Sequence, residues 1–222
     1  MKGAVLFSGG KDSCYAAYLM KKQGIDLSCL ISIFYENKES YMFHTPSISK
    51  VKIQSKVMNI PIIIRRTSGE KEKELKDLKI AIKKAISDFD INFVITGAVE
   101  SIYQKSRIQK ICDNLELECL NPLWKIDQIR LLNELVESNF DTIITGVFAY
   151  PLDKSWLGKR IDKKFIEDVK NLLNKYKINP AGEGGEFESY VLDCPLFSRK
   201  IEIIERNIFG SKNSWHLELE VK

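Results

Sequence analysis

Two short segments carry residue types that could do chemistry together. Residues 8–13 read Ser-Gly-Gly-Lys-Asp-Ser and directly follow the apolar run 4–7. Adjacent glycines let a backbone bend and come close to a bound group. Successive N–H groups at a strand-to-helix turn then form a concave site for an anion. Lys11 adds a positive charge, and Asp12 could hold a metal ion or cap the helix. The second segment is 182–188, Gly-Glu-Gly-Gly-Glu-Phe-Glu. Its glutamates Glu183, Glu186 and Glu188 repel one another unless a cation answers them, whether Mg²⁺, ammonium, a substrate ammonium group or a Lys or Arg side chain.

The first segment is neither of the two common nucleotide loops. A Walker A element needs a glycine where Val5 stands and a Ser or Thr where Asp12 stands. The dinucleotide loop needs spaced glycines with a third to follow, whereas Gly9 and Gly10 are adjacent.

The elements that must position these residues are legible from periodicity. Apolar runs at 4–7, 29–35, 61–65 and 93–96 read as buried strands. Helical patterns lie between them at 12–23, 46–58 and 70–89. Thr45 and Pro46 form an N-cap and a first-turn proline. This alternation predicts an α/β fold with a doubly wound parallel sheet, and ligands in such sheets sit beyond the carboxyl ends of the strands. A helix at 103–115 follows, then 127–137 (helix), 142–148 (strand) and 163–176 (helix). The end alternates strictly, with Trp215, Leu217, Leu219 and Val221 against His216, Glu218 and Glu220. That predicts a half-buried antiparallel strand paired with 200–206. The expected division is a first domain at 1–122 and a smaller α+β domain at 123–222 that carries the acidic segment.

Composition bounds the class. Charged residues are 29% and apolar ones 44%, with a net charge of +4. This is ordinary for a folded protein and too mild to require nucleic acid. No apolar run is long enough to cross a membrane, and a strand opening at residue 4 leaves no room for a signal peptide. Five cysteines without a C-x-x-C and only two histidines favour reduced, buried thiols in a cytoplasmic protein over disulfides or zinc.

The first loop resembles the PP-loop of the adenine nucleotide α-hydrolase superfamily, a HUP-type, Rossmann-like fold. Together with the acidic segment it resembles the diphthine–ammonia ligase family. The likeness covers Tyr41-Met42-Phe43-His44-Thr45-Pro46, Gly97-Ala98 with Ser101, Tyr103, Gln104 and Arg107, then Pro122-Leu123-Trp124, Trp156 to Arg160, and Asn179 to Ser189. Ser189 stands where the family usually has Thr, and Glu100 where it often has a small residue.

The resemblance implies amidation of diphthine on translation elongation factor 2, with ATP and ammonium consumed and AMP and pyrophosphate released through an acyl-adenylate. It implies ATP contacts from Ser8, Gly9, Gly10, Lys11, Asp12, Ser13, Tyr35, His44 and Gly97, with Mg²⁺ on Asp12. His44 has a packing role as its alternative. Lys11, Asp12, Glu183, Glu186 and Glu188 are the expected catalytic groups. Ser101, Tyr103, Gln104, Arg107, Trp156, Gly184, Gly185 and Phe187 are the expected substrate contacts, with an ion pair equally open to Arg107. Diphthine carries a trimethylammonium group, which aromatic faces and carboxylates suit; the expected readers are the three glutamates with Phe187 and Trp156. A homodimer is compatible with the sequence but not required by it. The rival readings are a tRNA-modifying PP-loop ATP pyrophosphatase and an adenine-nucleotide-binding regulator without turnover.

Overall fold

The computed structural model describes residues 1–35, 48–68 and 71–222, without the side chains of residues 35, 71 and 72. The chain divides into two compact units, Met1–Trp124 and Lys125–Lys222.

The first unit alternates strand and helix: β1 (Lys2–Leu6), α1 (Lys11–Lys22), β2 (Asp26–Tyr35), α2 (Ile48–Met58), β3 (Ile62–Thr67), α3 (Lys71–Phe89), β4 (Phe93–Ile95), α4 (Ile102–Asp113) and β5 (Glu118–Leu120). All four strand pairings are parallel, in the order β3-β2-β1-β4-β5. The expected doubly wound sheet is therefore present. Strand order reverses between β1 and β4, so the loops leaving these two strands flank the crevice where such sheets bind ligands. The Val/Ile/Leu runs are buried because helices cover the sheet. One cluster joins Ile31, Ile63 and Val94 to Leu78, Ala81, Ile82 and Ala85, the apolar stripe of α3. β5 was not expected: three residues, Glu-Cys-Leu, are too few to show a period.

The second unit holds α5 (Gln128–Glu137), β6 (Asp141–Val147), a 3-10 turn (Lys154–Trp156), α6 (Lys163–Tyr176), β7 (Phe187–Asp193), β8 (Ile203–Ser211) and β9 (Ser214–Val221). Its sheet is antiparallel, in the order β7-β6-β9-β8. Asp127 and Asp162 start the two helices by accepting from Arg130 N and Phe165 N, both at 2.8 Å. In β9 the alternation puts Leu217, Leu219 and Val221 inside and leaves His216, Glu218 and Glu220 exposed. Two expectations change here. β7 begins inside the acidic segment, at Phe187, where no strand was expected. β8 runs later than 200–206, because the hairpin turns tightly at Ser211↔Ser214 with Lys212 at φ 53°.

Asp141 pins the start of β6. It accepts from Arg160 Nε at 2.7 Å and pairs with Lys200. Burial pushes its pKa up, but hydrogen bonds from these two cations outweigh burial and hold it below the ordinary Asp value. A depressed folded pKa stabilises the fold above the unfolded-state pKa, and that stabilisation is lost as pH falls through the folded value. Asp141→Asn is expected to cost about 1–2 kcal/mol at neutral pH. Denaturant melts of both proteins should converge as the pH drops below about 4. A gap that persists at low pH would assign the loss to packing rather than to charge.

Candidate active site

The loop after β1 is built from beneath. Phe7 N donates to Ile31 O at 2.8 Å, and Ser32 Oγ donates to Phe7 O at 2.5 Å. Both anchor the end of β1 to β2. Gly9 then turns with φ +80°, a conformation that suits glycine, and its carbonyl accepts from Gln54 Nε2 at 3.0 Å. Gln54 is fully buried on α2, and a Cβ on Gly9 would collide with its Oε1. Inside the loop, Ser8 N donates to Ser13 Oγ at 3.2 Å and Gly10 N to Ser8 Oγ at 3.3 Å. These long hydroxyl bonds hold the loop's shape with acceptors weaker than a phosphate oxygen.

Gly10 is the N-cap of α1, with no side-chain capping bond. Asp12 is thus in the first turn rather than at the cap. Lys11 is 4% exposed, and its Nζ lies 2.8 Å from Asp12 Oδ2. Asp12 Oδ1 is buried with no hydrogen-bond partner. A buried orphan carboxylate oxygen fits a hard cation, which takes one or two carboxylates and fills its shell with water and phosphate oxygens. Among the described residues no three His, Cys, Asp or Glu gather as a metal cage.

The loop after β4 presses on the same helix start. A Cβ on Gly97 would sit 2.8 Å from Asp12 C and from Ser13 N, so only glycine lets these backbones meet. Thr96 Oγ1 donates to Asn121 Oδ1 at 2.7 Å and accepts from Ala98 N at 3.2 Å, stitching the ends of β4 and β5. Ser101 accepts from Gln104 N at 3.2 Å and caps α4. One turn on, the Arg107 guanidinium lies 3.5 Å from the Tyr103 ring centroid. Tyr35 ends β2, and His44 lies outside the described residues.

In the second unit the acidic segment is a braced double turn. Gly182 N donates to Asn179 O and Gly185 N to Gly182 O, with both glycines at positive φ. Glu186, 9% exposed, faces inward. Its Oε1 accepts from Asn179 N and Nδ2 at 3.0 and 2.7 Å, and its Oε2 from Gly184 N at 2.8 Å. Gln128 of α5 holds the turn from the other side, donating to Asn179 Oδ1 at 3.1 Å and accepting from Ala181 N at 3.0 Å. The charge of Glu186 is thus answered by the loop's own N–H groups. Phe187 is buried edge-on against Phe165 at 5.8 Å. Trp156 meets Phe165 at 5.6 Å, with Lys159 Nζ 3.8 Å from its ring centroid. Glu183 and Glu188 are half-buried, and Gly184 is exposed.

Both halves match known families: the diphthamide synthase N-terminal domain over residues 1–119 and the diphthamide synthase C-terminal domain over 127–221. The chain belongs to the diphthamide synthase family. A diphthine–ammonia ligase of Schizosaccharomyces pombe is 30% identical over 238 residues, spanning 100% of this chain and 39% of that protein. One of Mus musculus is 32% identical over 224 residues, spanning 91% of this chain and 83% of that protein. A solved structure described as a predicted subunit of a tRNA methyltransferase from Methanocaldococcus jannaschii aligns at TM-score 0.42 and 18% identity, over 85% of this chain and 95% of that one.

Several residues of this diphthamide synthase family member escaped the sequence reading. Gln54 had a signal: a polar side chain among Val51, Val57 and Met58 on a buried helix face. Ser32 sat inside an apolar run and Gln128 beside a cap, where neither stood out. A cavity of about 510 Å³ opens among Met1, Leu19, Gln23, Phe93, Leu120 and Asn121, and none of residues 8–13 lines it. It is not the site.

Glu186→Gln would set an amide NH₂ against an N–H donor. It is expected to destabilise the second unit by about 1–3 kcal/mol in denaturant melts. Unchanged stability with turnover lost would return Glu186 to the reaction itself.

Proposed function

We propose that this chain is an ATP-dependent ligase that converts diphthine to diphthamide, releasing AMP and pyrophosphate. The observation that carries the reading is the braced turn after β1, with its uncapped helix start and buried Lys11–Asp12 pair, in a chain of the diphthamide synthase family. A carboxylate is a poor acylating group because oxide is a poor leaving group. The substrate carboxylate therefore attacks the α-phosphorus of ATP, and pyrophosphate departs. Ammonia then attacks the acyl carbon, giving the amide and AMP. The protein contributes position and charge.

Ser8, Gly9, Gly10 and Ser13 would hold the β and γ phosphates through N–H and hydroxyl donors, and Lys11 would offset charge growing on pyrophosphate. Asp12 would hold Mg²⁺, which would neutralise charge on the phosphate oxygens. The end of β2, near Tyr35, and the segment with His44 would serve the adenosine. Gly97 serves by letting the two loops approach. Ser101, Tyr103, Gln104 and Arg107 would serve the diphthine-bearing protein, with Arg107 meeting its carboxylate. Glu183 and Glu188 would serve ammonium or substrate, while Glu186 shapes their loop. The substrate protein would be translation elongation factor 2, the nitrogen donor free ammonium, and the compartment the cytoplasm.

AMP and pyrophosphate release should rise when diphthine-bearing factor and ammonium are supplied together. Release driven by tRNA, or by nothing, would overturn the reading. Lys11→Met should lower the stimulated rate about 100-fold or more. Asp12→Asn should raise the Mg²⁺ concentration needed for half-maximal rate, and a variant with the parent's Mg²⁺ dependence would remove Asp12 from metal binding.

A further inference from the structure

The last turn of α4 and the strand β5 bring two thiols together. After Cys112 the chain reverses tightly: Leu115 N and Leu117 N both donate to Cys112 O, at 2.9 and 3.0 Å, and Glu116 between them has φ 56°. β5 then packs along α4, and the Cys112 and Cys119 thiols hydrogen-bond to each other. All five cysteines are free; Cys119 is half-buried, and the other four are buried.

The two sulfurs are not equivalent. Cys112 is fully buried in the core cluster with Ile108, Ile111 and Leu117. Its S–H donates to Cys119, and that bond, with burial, raises its pKa. Cys119 gains from the same bond, from Asn121 Nδ2 at 3.5 Å and from the nearby Lys105 charge, whose Nζ lies 4.1 Å from the Trp124 ring centroid. Together they hold the Cys119 thiol below its ordinary value against the opposing effect of burial. Burial pushes Cys29 and Cys194 the other way, to about 12. The thiolate is the form that attacks an oxidant, so accessibility and charge both single out Cys119.

Cys119 is also wired to the loop after β4. Asn121 Nδ2 donates to Cys119 O at 3.4 Å as well as to its sulfur, and Asn121 Oδ1 accepts from Thr96 Oγ1, which in turn accepts from Ala98 N. Drawing the Cys119 sulfur onto Cys112 removes one acceptor from this chain of bonds.

We infer that Cys112 and Cys119 are a redox-active dithiol, oxidised by peroxide to an intramolecular disulfide, and that the change reaches the loop at Gly97 and Ala98 through Asn121 and Thr96. The Cys119 thiolate attacks one oxygen of hydrogen peroxide; the O–O bond breaks, hydroxide leaves and a sulfenic acid forms. The Cys112 sulfur then attacks the Cys119 sulfur; the S–S bond forms, the S–O bond breaks, and the hydroxyl departs with the Cys112 proton as water. Two thiols and one peroxide thus give one disulfide and two waters, and a small dithiol reverses the change. The pair needs neither ATP nor diphthine to react.

The test treats the full reduced chain with equimolar hydrogen peroxide, alkylates the remaining thiols and reads the products by mass spectrometry. Cys119 should react about tenfold or more faster than Cys14, Cys29 and Cys194. Cleavage after Glu116 should leave two fragments joined until dithiothreitol is added. In Cys112→Ser, dimedone should instead trap a sulfenic acid on Cys119. The Ala98 amide signal in NMR spectra should shift on oxidation and return on reduction. Oxidation elsewhere first, a sulfenic acid that accumulates on Cys119 of the parent chain, or an Ala98 signal indifferent to the disulfide would each overturn the inference. The parent chain alone decides the matter, whether or not a variant folds.

Discussion

A glycine turn offers its N–H groups to a ligand only if something else fixes its shape. The loop after β1 meets that constraint with buried polar side chains beneath it. Ser32 and Gln54 satisfy the carbonyls of Phe7 and Gly9, and Gly97 lets the neighbouring loop close on the first turn of α1. Without those partners the carbonyls would be buried and unmet, and the turn would relax toward some other conformation. The remainder of the first unit, a parallel sheet covered by helices, brings the ends of β1 and β4 together at the strand-order reversal.

The second unit solves a similar problem with a charged group. Its turn is held by a carboxylate, Glu186, that accepts three hydrogen bonds from the loop it belongs to, and by an amide, Gln128, from a neighbouring helix. In both units a buried polar group shapes a glycine-rich backbone. Glu186 and Glu188 stand two residues apart in one motif but have different surroundings. Glu186 faces its own loop, whereas Glu188 lies on the sheet beside Phe148.

Much of this was legible in the sequence, for physical reasons. β1 to β4 are near-continuous apolar runs because both faces of the sheet are covered, and β9 alternates because only one face is. The two glycine-rich segments declare themselves by composition. What stayed hidden depends on pairing across long separations. β5 is too short to carry a period, and β7 hides behind the charge of its first residues. No local pattern tells that Glu188, Gly146 and His216 fall in one row, since register is set by the whole sheet. Nor does a motif tell which of its glutamates is turned inward.

If the substrate carboxylate itself attacks the α-phosphorus of ATP, one of its oxygens leaves on AMP, and isotopic labelling reads that transfer. Diphthine-bearing protein with ¹⁸O in that carboxylate should deliver one labelled oxygen to the phosphate of the AMP formed during amidation. Label found in orthophosphate, or AMP formed without label while amide accumulates, would contradict the account.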